Sequence, residues 1–157
     1  MSTHFHGSTG ENRALATFIK LMRAADTVLA VSRRIYAEAG LTDSQFGVLE
    51  ALLHLGPLTP GELGKKILKS AGNLTLVIDN LVKHDLIERR ESREDRRQRP
   101  VSLTAKGREL IQNLFPQHVS QIVRVMSALA EHEQDQLSDL LRKLGKHSSY
   151  TKIHLTT

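Results

Sequence analysis

The fold is decided by residues 58–107, LTPGELGKKILKSAGNLTLVIDNLVKHDLIERRESREDRRQRPVSLTAKG. The stretch opens with a helix start. Thr59 is followed by Pro60 at the first helical position and by Glu62 three residues after the cap, which together form a capping box. Apolar residues then recur at helical spacing, and the pattern predicts a short helix ending near Lys69.

A second helix is predicted to begin after Ser70, whose hydroxyl can cap it, and to end near His84. One face carries apolar residues at positions i, i+3, i+4 and i+7, namely Leu74, Val77, Ile78 and Leu81. The opposite face carries Asn73, Thr75, Asp79 and Asn80. Small and hydrogen-bonding side chains near the start of such a helix suit contact with base edges in the DNA major groove. The candidate DNA-contact residues on this helix are Ser70, Ala71, Gly72, Asn73, Thr75 and Leu76.

Two β-like runs follow, Leu86–Arg90 and Pro100–Leu103, and they flank a loop rich in arginine. Pro100 has no amide hydrogen for a strand ladder, so the second strand is predicted either to be an edge at that residue or to begin after it. The order of elements predicts a mainly α fold with a small β-wing, a winged helix-turn-helix flanked by N- and C-terminal dimerisation helices. In such a module one helix enters the major groove of DNA, and the wing contacts the backbone or the minor groove.

Positive charge is concentrated in the same stretch. Residues 58–107 hold 11 Lys and Arg against 7 Asp and Glu, a net of +4, and the rest of the chain holds 11 against 10, a net of +1. Localised charge of this kind is what phosphate binding requires, although a charge run can also be only a solvated surface. Because this run directly follows a helix suited to the groove, we expect the loop to contact DNA. The arginines concerned are Arg93, Arg96, Arg97 and Arg99, and Asp95 can pair with one of them and brace the tip while another reaches the DNA.

Length and composition indicate one domain-sized unit of 157 residues, with 39% hydrophobic and 4% aromatic residues. There is no cysteine, which excludes disulfides, cysteine-based zinc sites and a cysteine redox switch, and which fits a cytoplasmic protein. No run of about 18 apolar residues is present, so no membrane span is expected. Residues 1–10 lack the layout of a signal peptide and are predicted to form a flexible arm.

Helical patterns on both sides of the DNA-binding region, residues 41–107, predict a dimerisation region made of residues 11–40 and 108–157. A long helix from Glu11 to Ala39, stopped by Gly40, carries an apolar stripe that a small wing domain does not cover alone. We expect dimer contacts from its first half; the alternative is a helix that packs only within its own chain.

The C-terminal half of the predicted dimerisation region contains two further helices. One is capped by Thr104, runs to about Ala130 and is expected to kink at Pro116, since proline removes a backbone donor. The last is predicted to run from Glu131 to Leu144, with Gly145 as its C-cap and weak order signals beyond it.

The helix between these regions opens with a second capping box, in which Thr42 is the cap and Gln45 the third residue. Its strongly apolar pattern predicts a central position in the core, with contributions from Phe46, Val48, Leu49, Leu52 and Leu53. His54, near its end, is a candidate for lining a ligand pocket, and the alternative is a packing or helix-end histidine. Gly56-Pro57 is predicted to break the chain before the DNA-binding helices.

Five blocks of the sequence resemble the multiple-antibiotic-resistance regulator (MarR) family in order and spacing. They are Ser70–Thr75, Val77–Leu81, Leu86–Arg89, Asp95–Arg97 and Leu103–Gly107, and the resemblance extends from about Glu11 to Gly145. It implies a homodimeric transcription regulator, a repressor in our interpretation, that binds a pseudo-palindromic operator and is released by a small ligand. The resemblance also suggests Arg97 as the arginine braced by Asp95 and Arg96 as the one that enters the minor groove.

The same resemblance favours a planar, aromatic and often anionic effector, and the Phe115-Pro116-x-His118 block is similar to relatives that respond to phenols or quinones. We expect the ligand pocket between the dimerisation helices and the wing domain. Its candidate residues are Arg33, Arg34, Val48, His54 and Phe115, with Arg33, Arg34 or His54 meeting the anion. No cofactor is expected.

Three other functions compete with this interpretation. A metal sensor is disfavoured because the eight histidines include no His-x3-His pair and no cysteine supports a soft site. A nuclease is the best enzymatic alternative, but the acidic residues alternate with arginines rather than forming a Mg²⁺ cluster, and no catalytic motif is present, so no catalytic residue is assigned. An architectural protein that coats DNA would share the basic patch but would bind every sequence with similar affinity.

Overall fold

The computed structural model describes residues 5–67, 71–90 and 99–154, without the side chains of 71–73 and 148–154. Two compact units are present, Met1–Gln121 and Ile122–Thr157. The helices and strands in chain order are α1 (Thr9–Ala37), α2 (Asp43–Leu55), α3 (Pro60–Ile67), α4 (Ala71–Lys83), β1 (Ile87–Arg89), β2 (Val101–Leu103), α5 (Ala105–Met126) and α6 (Glu131–His154). This is the mainly α, winged helix-turn-helix class that the sequence predicts.

Helix α1 begins at Thr9, two residues before the predicted start and inside the stretch expected to be a flexible arm. The reason is a capping box: the Glu11 amide donates to Ser8 Oγ at 3.3 Å, and the Ser8 amide donates to Glu11 Oε2 at 2.7 Å. The helix ends at Ala37, shortly before Gly40, whose φ of 73° lies in the left-handed region that favours glycine. The predicted stop at Gly40 is therefore confirmed to within a few residues.

Helix α2 is the centre of the core, as predicted. Phe46, Val48, Leu49 and Leu52 are all buried. Its capping box is confirmed, because the Gln45 amide donates to Thr42 Oγ1 at 3.3 Å and the Thr42 amide donates to Gln45 Oε1 at 2.8 Å. The helix ends at Leu55, where Gly56 has a φ of 77°.

The two helices of the DNA-binding region pack their predicted apolar faces against α2. The Thr59–Glu62 capping box starts α3, with the Glu62 amide donating to Thr59 Oγ1 at 3.3 Å. On α4, Leu74, Ile78 and Leu81 are buried, which confirms the predicted inward face. The expected end of α3 near Lys69 and the cap at Ser70 lie outside the described residues.

The wing is an antiparallel pair in which Ile87 lies opposite Leu103 and Arg89 lies opposite Val101. Strand β2 begins directly after Pro100, one of the two outcomes the sequence allows. Leu58 forms an isolated antiparallel bridge with Val101 that was not predicted. The Leu58 amide donates to the Val101 carbonyl at 3.1 Å, and the Val101 amide donates to the Leu58 carbonyl at 2.8 Å. The chain entering α3 is thereby tied to the wing.

Two predictions about the C-terminal helices need correction. Helix α5 continues through Pro116 but ends at Met126, not near Ala130. Helix α6 continues past Gly145 to His154, so Gly145 is not its C-cap. A glycine ends a helix when its backbone turns left-handed, and Gly145 is not among the described glycines with positive φ; inside a helix it costs only about 1 kcal/mol relative to alanine.

No helix among the described residues combines the length and the apolar character that crossing a bilayer requires.

Candidate nucleic-acid interface and ligand groove

The outward face of α4 is the candidate DNA-reading surface. Thr75 is exposed, and the side chain of Leu76 is 70% exposed, while Leu74 beside them is fully buried. Ala71, Gly72 and Asn73 form the first turn of the helix, and Ser70 lies outside the described residues. The apolar side chain of Leu76 is available for contact with a partner.

An ion pair joins this helix to the wing. Asp79 on α4 accepts a hydrogen bond from the Arg89 guanidinium on β1, and both side chains are about half exposed. Asp79 was predicted only to face solvent. The pair links the first wing strand to α4. The positive charge of Arg89, at the base of the wing, is balanced by Asp79.

A chain of two hydrogen bonds between side chains also connects the two strands of the wing. Arg90 Nε donates to Ser102 Oγ at 2.9 Å, and Ser102 Oγ donates to Glu88 Oε1 at 3.1 Å. Ser102 is 4% exposed, so these bonds form where water does not compete freely. They stiffen the base of the wing. The tip, with Arg93, Asp95, Arg96 and Arg97, lies outside the described residues, and Arg99 at its end is exposed.

Asn80 does not belong to the exposed face to which the sequence pattern assigned it. The Gln45 amide nitrogen on α2 donates to Asn80 Oδ1 at 2.6 Å, and the bond is partly buried. Helical spacing identifies which residues share a face, but it does not reveal a partner 35 positions away in the sequence. The capping-box signal at Gln45 was recognised, whereas its second hydrogen bond was not.

A groove of about 450 Å³ lies between α2 and the end of α3. It is mostly apolar, with Lys66, Glu50 and His54 among its charged or titratable residues. The remaining residues around it are Asp43, Ser44, Gly47, Ala51, Leu55 and Ile67. A volume of this size is in the range of small-molecule sites.

Among the five residues predicted to form a ligand pocket, the structure places only His54 at this groove. Val48 is fully buried in the core and does not border this groove. Phe115 packs edge-on against His54, with 4.6 Å between ring centroids, on another side of α2. Arg34 is exposed on α1 and does not line the groove.

Arg33 is engaged by a carboxylate. Its guanidinium makes a two-pronged contact with Asp43, Nε to Oδ1 at 2.9 Å and Nη2 to Oδ2 at 2.6 Å. The Tyr36 hydroxyl donates to Asp43 Oδ1 at 3.3 Å. The bond from Arg33 is the main reason that the pKa of Asp43 lies below its ordinary value. Asp43 therefore balances the charge of Arg33 and occupies two of its five N–H donors.

Aromatic rings fill the space where α1, α2 and α5 meet. Tyr36 stacks on Phe46 at 4.6 Å between centroids, and the His118 ring lies 4.8 Å from Phe46. His118 Nδ1 and Ser32 Oγ share a hydrogen bond of 3.0 Å. In the sequence, His118 was noted only as part of the Phe115-Pro116-x-His118 block. Its bond to Ser32 was not predicted, since a separation of 86 positions leaves no local signal.

No group of three or more His, Asp or Glu side chains among the described residues is arranged to hold a metal ion.

Comparison with known proteins gives one consistent result. A family model described as the MarR family matches residues 39–98. The HTH-type transcriptional regulator YkoM of Bacillus subtilis (strain 168) is 36% identical over 88% of this chain and 90% of its own length. The HTH-type transcriptional regulator MhqR of the same organism is 33% identical over 85% of this chain and 92% of its own length.

A solved structure shares the fold along most of the chain. This chain superposes on Bordetella bronchiseptica BpsR with a TM-score of 0.73 and 27% identity, covering 91% of this chain and 96% of that one. The DNA binding of BpsR is regulated by 6-hydroxynicotinic acid.

Proposed function

This chain belongs to the MarR family of winged helix-turn-helix transcription regulators, and on that premise we propose that it is a homodimeric repressor released from its operator by a small aromatic ligand. The observation that carries the proposal is the two-sided character of α4, with Leu74, Ile78 and Leu81 buried and Thr75 and Leu76 presented outward.

DNA reading falls to the first half of α4 in this proposal. Because Asn80 is bonded to Gln45, the reading segment is shorter than the sequence suggests and extends from Ser70 to Leu76. Asn73 is suited to paired hydrogen bonds with adenine, and the exposed Leu76 is suited to apolar contact with a thymine methyl group. The wing arginines Arg93, Arg96, Arg97 and Arg99 contact the flanking backbone or minor groove.

Dimerisation is supported by exposed apolar side chains on the outer helices. On α1, Phe18 is 57% exposed, Met22 45% and Leu29 49%, and they lie along one stripe. On α6, Leu140 and Leu141 are also exposed. Covering these residues with a second copy removes apolar surface from water at both ends of the chain. The two α4 helices of the dimer then read half-sites one turn of DNA apart.

The ligand is assigned to the groove between α2 and α3. This location replaces the one expected from the sequence, and His54 is the residue that the two share. An apolar lining suits a planar ring, and His54 or Lys66 is available for an acidic group. Ile67, which lines the groove, is the last described residue of α3, and the described part of α4 begins at Ala71. A ligand that favours a different position of α3 would therefore change the spacing of the reading helices, and a linked change in operator affinity would follow.

Selection of bound fragments from the source genome tests the DNA-binding part. Discrete sites with two-fold symmetry support the proposal, and uniform recovery of all sequences supports an architectural protein and contradicts it. Incubation of the recovered sites with protein and Mg²⁺ addresses the nuclease alternative, since a regulator leaves the DNA intact.

The ligand part is tested on the operator complex with 6-hydroxynicotinic acid as the first probe, followed by simple phenols and quinones. Gly47 lines the groove, and a Cβ at that position is 3.5 Å from Ile67, so Gly47→Leu fills the space. The expected result is operator binding that no longer responds to the ligand. Wild-type protein that stays bound in the presence of every probe argues against release by an aromatic ligand.

A further inference from the structure

One side chain connects the start of α2 to the reading helix. Gln45 uses its amide oxygen to accept from the Thr42 amide at 2.8 Å, and its amide nitrogen to donate to Asn80 Oδ1 at 2.6 Å. The two halves of the same amide group therefore serve two different helices. The second bond joins α2 to α4 across 35 positions of sequence.

In the observed arrangement the donor of this link is the amide nitrogen of Gln45. Glutamate is equally able to close a capping box, because only the oxygen is used there. A carboxylate has no hydrogen to donate at neutral pH, so glutamate at position 45 would keep the helix start and lose the donor to Asn80.

The link has a specific geometric effect because of what surrounds it. Leu74, Ile78 and Leu81 hold α4 against the core and set which face of the helix is buried. Apolar contact carries no directional preference of its own, so a hydrogen bond can fix the rotation about the helix axis more finely. Beside the Gln45–Asn80 bond lies a cleft of about 310 Å³, bordered also by Leu41, Leu86 and Leu110. The face of α4 that carries Asn80 borders this cleft and is not closely packed there, so the Gln45–Asn80 hydrogen bond is the contact that positions this face.

We propose that Gln45 is a positioning residue for DNA recognition, which holds α4 through Asn80 at the rotation that presents Thr75 and Leu76 to the bases. The inference rests on the proposed function, in which α4 reads DNA. It also gives the ligand groove a direct route to α4, since Asp43, Ser44 and Gly47 line that groove on the same turns of α2 that carry Gln45. Movement of these turns displaces the partner of Asn80.

A pair of carboxylate variants isolates the link. Asn80→Asp keeps an acceptor for Gln45, and Gln45→Glu keeps the cap while the Asn80 amide can rotate and donate to the new carboxylate. The double variant Gln45→Glu/Asn80→Asp has two acceptors and no donor, so only it loses the bond. The single variants measure the effect of the added negative charge, and their product predicts the double variant if the two sites are independent.

We expect each single variant to bind the selected operator within about threefold of wild type. A hydrogen bond of this kind corresponds to about fivefold in an equilibrium constant, and two copies act in each dimer, so the double variant is expected to bind about 25-fold more weakly than the product of the singles predicts. Binding to a scrambled duplex is expected to follow the singles, because a rotated α4 still contacts phosphates.

Asn80→Ala serves if the double variant does not fold, because it removes the acceptor without adding charge and leaves the cap intact. Its expected result is the same loss of preference for operator over scrambled DNA, with the unfolding temperature measured alongside. An operator affinity equal to the product of the singles, or an equal loss on both duplexes, overturns the inference. Wild-type protein without operator preference overturns the proposed function itself, so the two failures are distinguishable.

Discussion

Gly107, in the first turn of α5, lies directly against the main-chain carbonyl of Leu86, so that a Cβ at position 107 would overlap the carbonyl oxygen. Two neighbours bind the same turn after α4: Thr104 Oγ1 donates to the Asp85 carbonyl at 2.7 Å, and Lys106 Nζ donates to the His84 carbonyl at 2.9 Å. The Leu103–Gly107 block, one of those that carry the family resemblance, therefore connects the turn after α4 to the start of α5.

Gly107→Ala is expected to destabilise the protein by about 1–3 kcal/mol, because the added methyl group forces the α5 start away from Leu86. Thermal or urea unfolding measures the change. Gly145→Ala is the matched control, since Gly145 also lies inside a helix but has open space around it, and it should raise stability by up to about 1 kcal/mol. Equal stability of Gly107→Ala and wild type would contradict the close approach.

Leu76→Ala should leave stability within about 0.5 kcal/mol of wild type, because the side chain is mostly exposed, and should weaken operator binding or shift base preference at one position of each half-site. Leu74→Ala, two residues earlier and fully buried, should cost about 2–5 kcal/mol of stability. Unfolding curves and operator titrations on both variants separate the two faces of α4. An unchanged operator preference in Leu76→Ala would remove this residue from the reading surface.

Arg96→Ala should lower operator affinity by about 1–3 kcal/mol with the fold intact. This prediction comes from the sequence pattern and the family resemblance, since position 96 lies outside the described residues. Arg13→Ala removes the same charge from the exposed surface of α1 and should have little effect. A gel shift that is the same for wild type and Arg96→Ala would mean that this arginine does not contact DNA.

Phe18→Glu should convert the protein to a monomer and abolish high-affinity operator binding, because it places a charge in the apolar stripe of α1 proposed to face the second copy. Sedimentation analysis at micromolar concentration gives the oligomeric state. Lys20→Glu puts the same side chain on the opposite side of α1 and should remain dimeric. Finding wild-type protein as a monomer would reject the dimer.

The Arg33–Asp43 pair should make a small, pH-dependent contribution to stability. The bond from Arg33 lowers the pKa of Asp43 in the folded state below the value of about 4 in the unfolded chain. The contribution is therefore present above about pH 4 and disappears as the pH falls through the lower, folded-state pKa. Side-chain exposures of 55% and 38% leave the pair open to screening by solvent, so its contribution is small.

Urea unfolding of wild type and Asp43→Asn at pH 7 and pH 3 measures this contribution. The stability difference between the two proteins should be smaller at pH 3. A difference that grows as the pH is lowered would mean that the sign of the pKa shift is wrong.

Local sequence signals were sufficient for most of the helix-turn-helix. The capping boxes at Thr42 and Thr59 each join residues three positions apart, and the inward face of α4 follows from the 3.6-residue period, so short-range geometry alone predicts them. The predicted end of α6 was wrong because a local signal can have two meanings. Glycine is compatible both with a C-cap and with a helix interior, and Gly145 has the second role.

The sequence alone determined the features that depend on residues within one or two helical turns of each other, which are the helix starts and the buried face of α4. It also determined the concentration of positive charge in residues 58–107, which is a matter of composition. Tertiary structure decided that Val48 belongs to the core, that Arg33 is bound by Asp43, and that Asn80 turns away from solvent to Gln45. Each of these depends on which helix faces which. That arrangement follows from packing the whole set of apolar faces at once, and no spacing within a single segment encodes it.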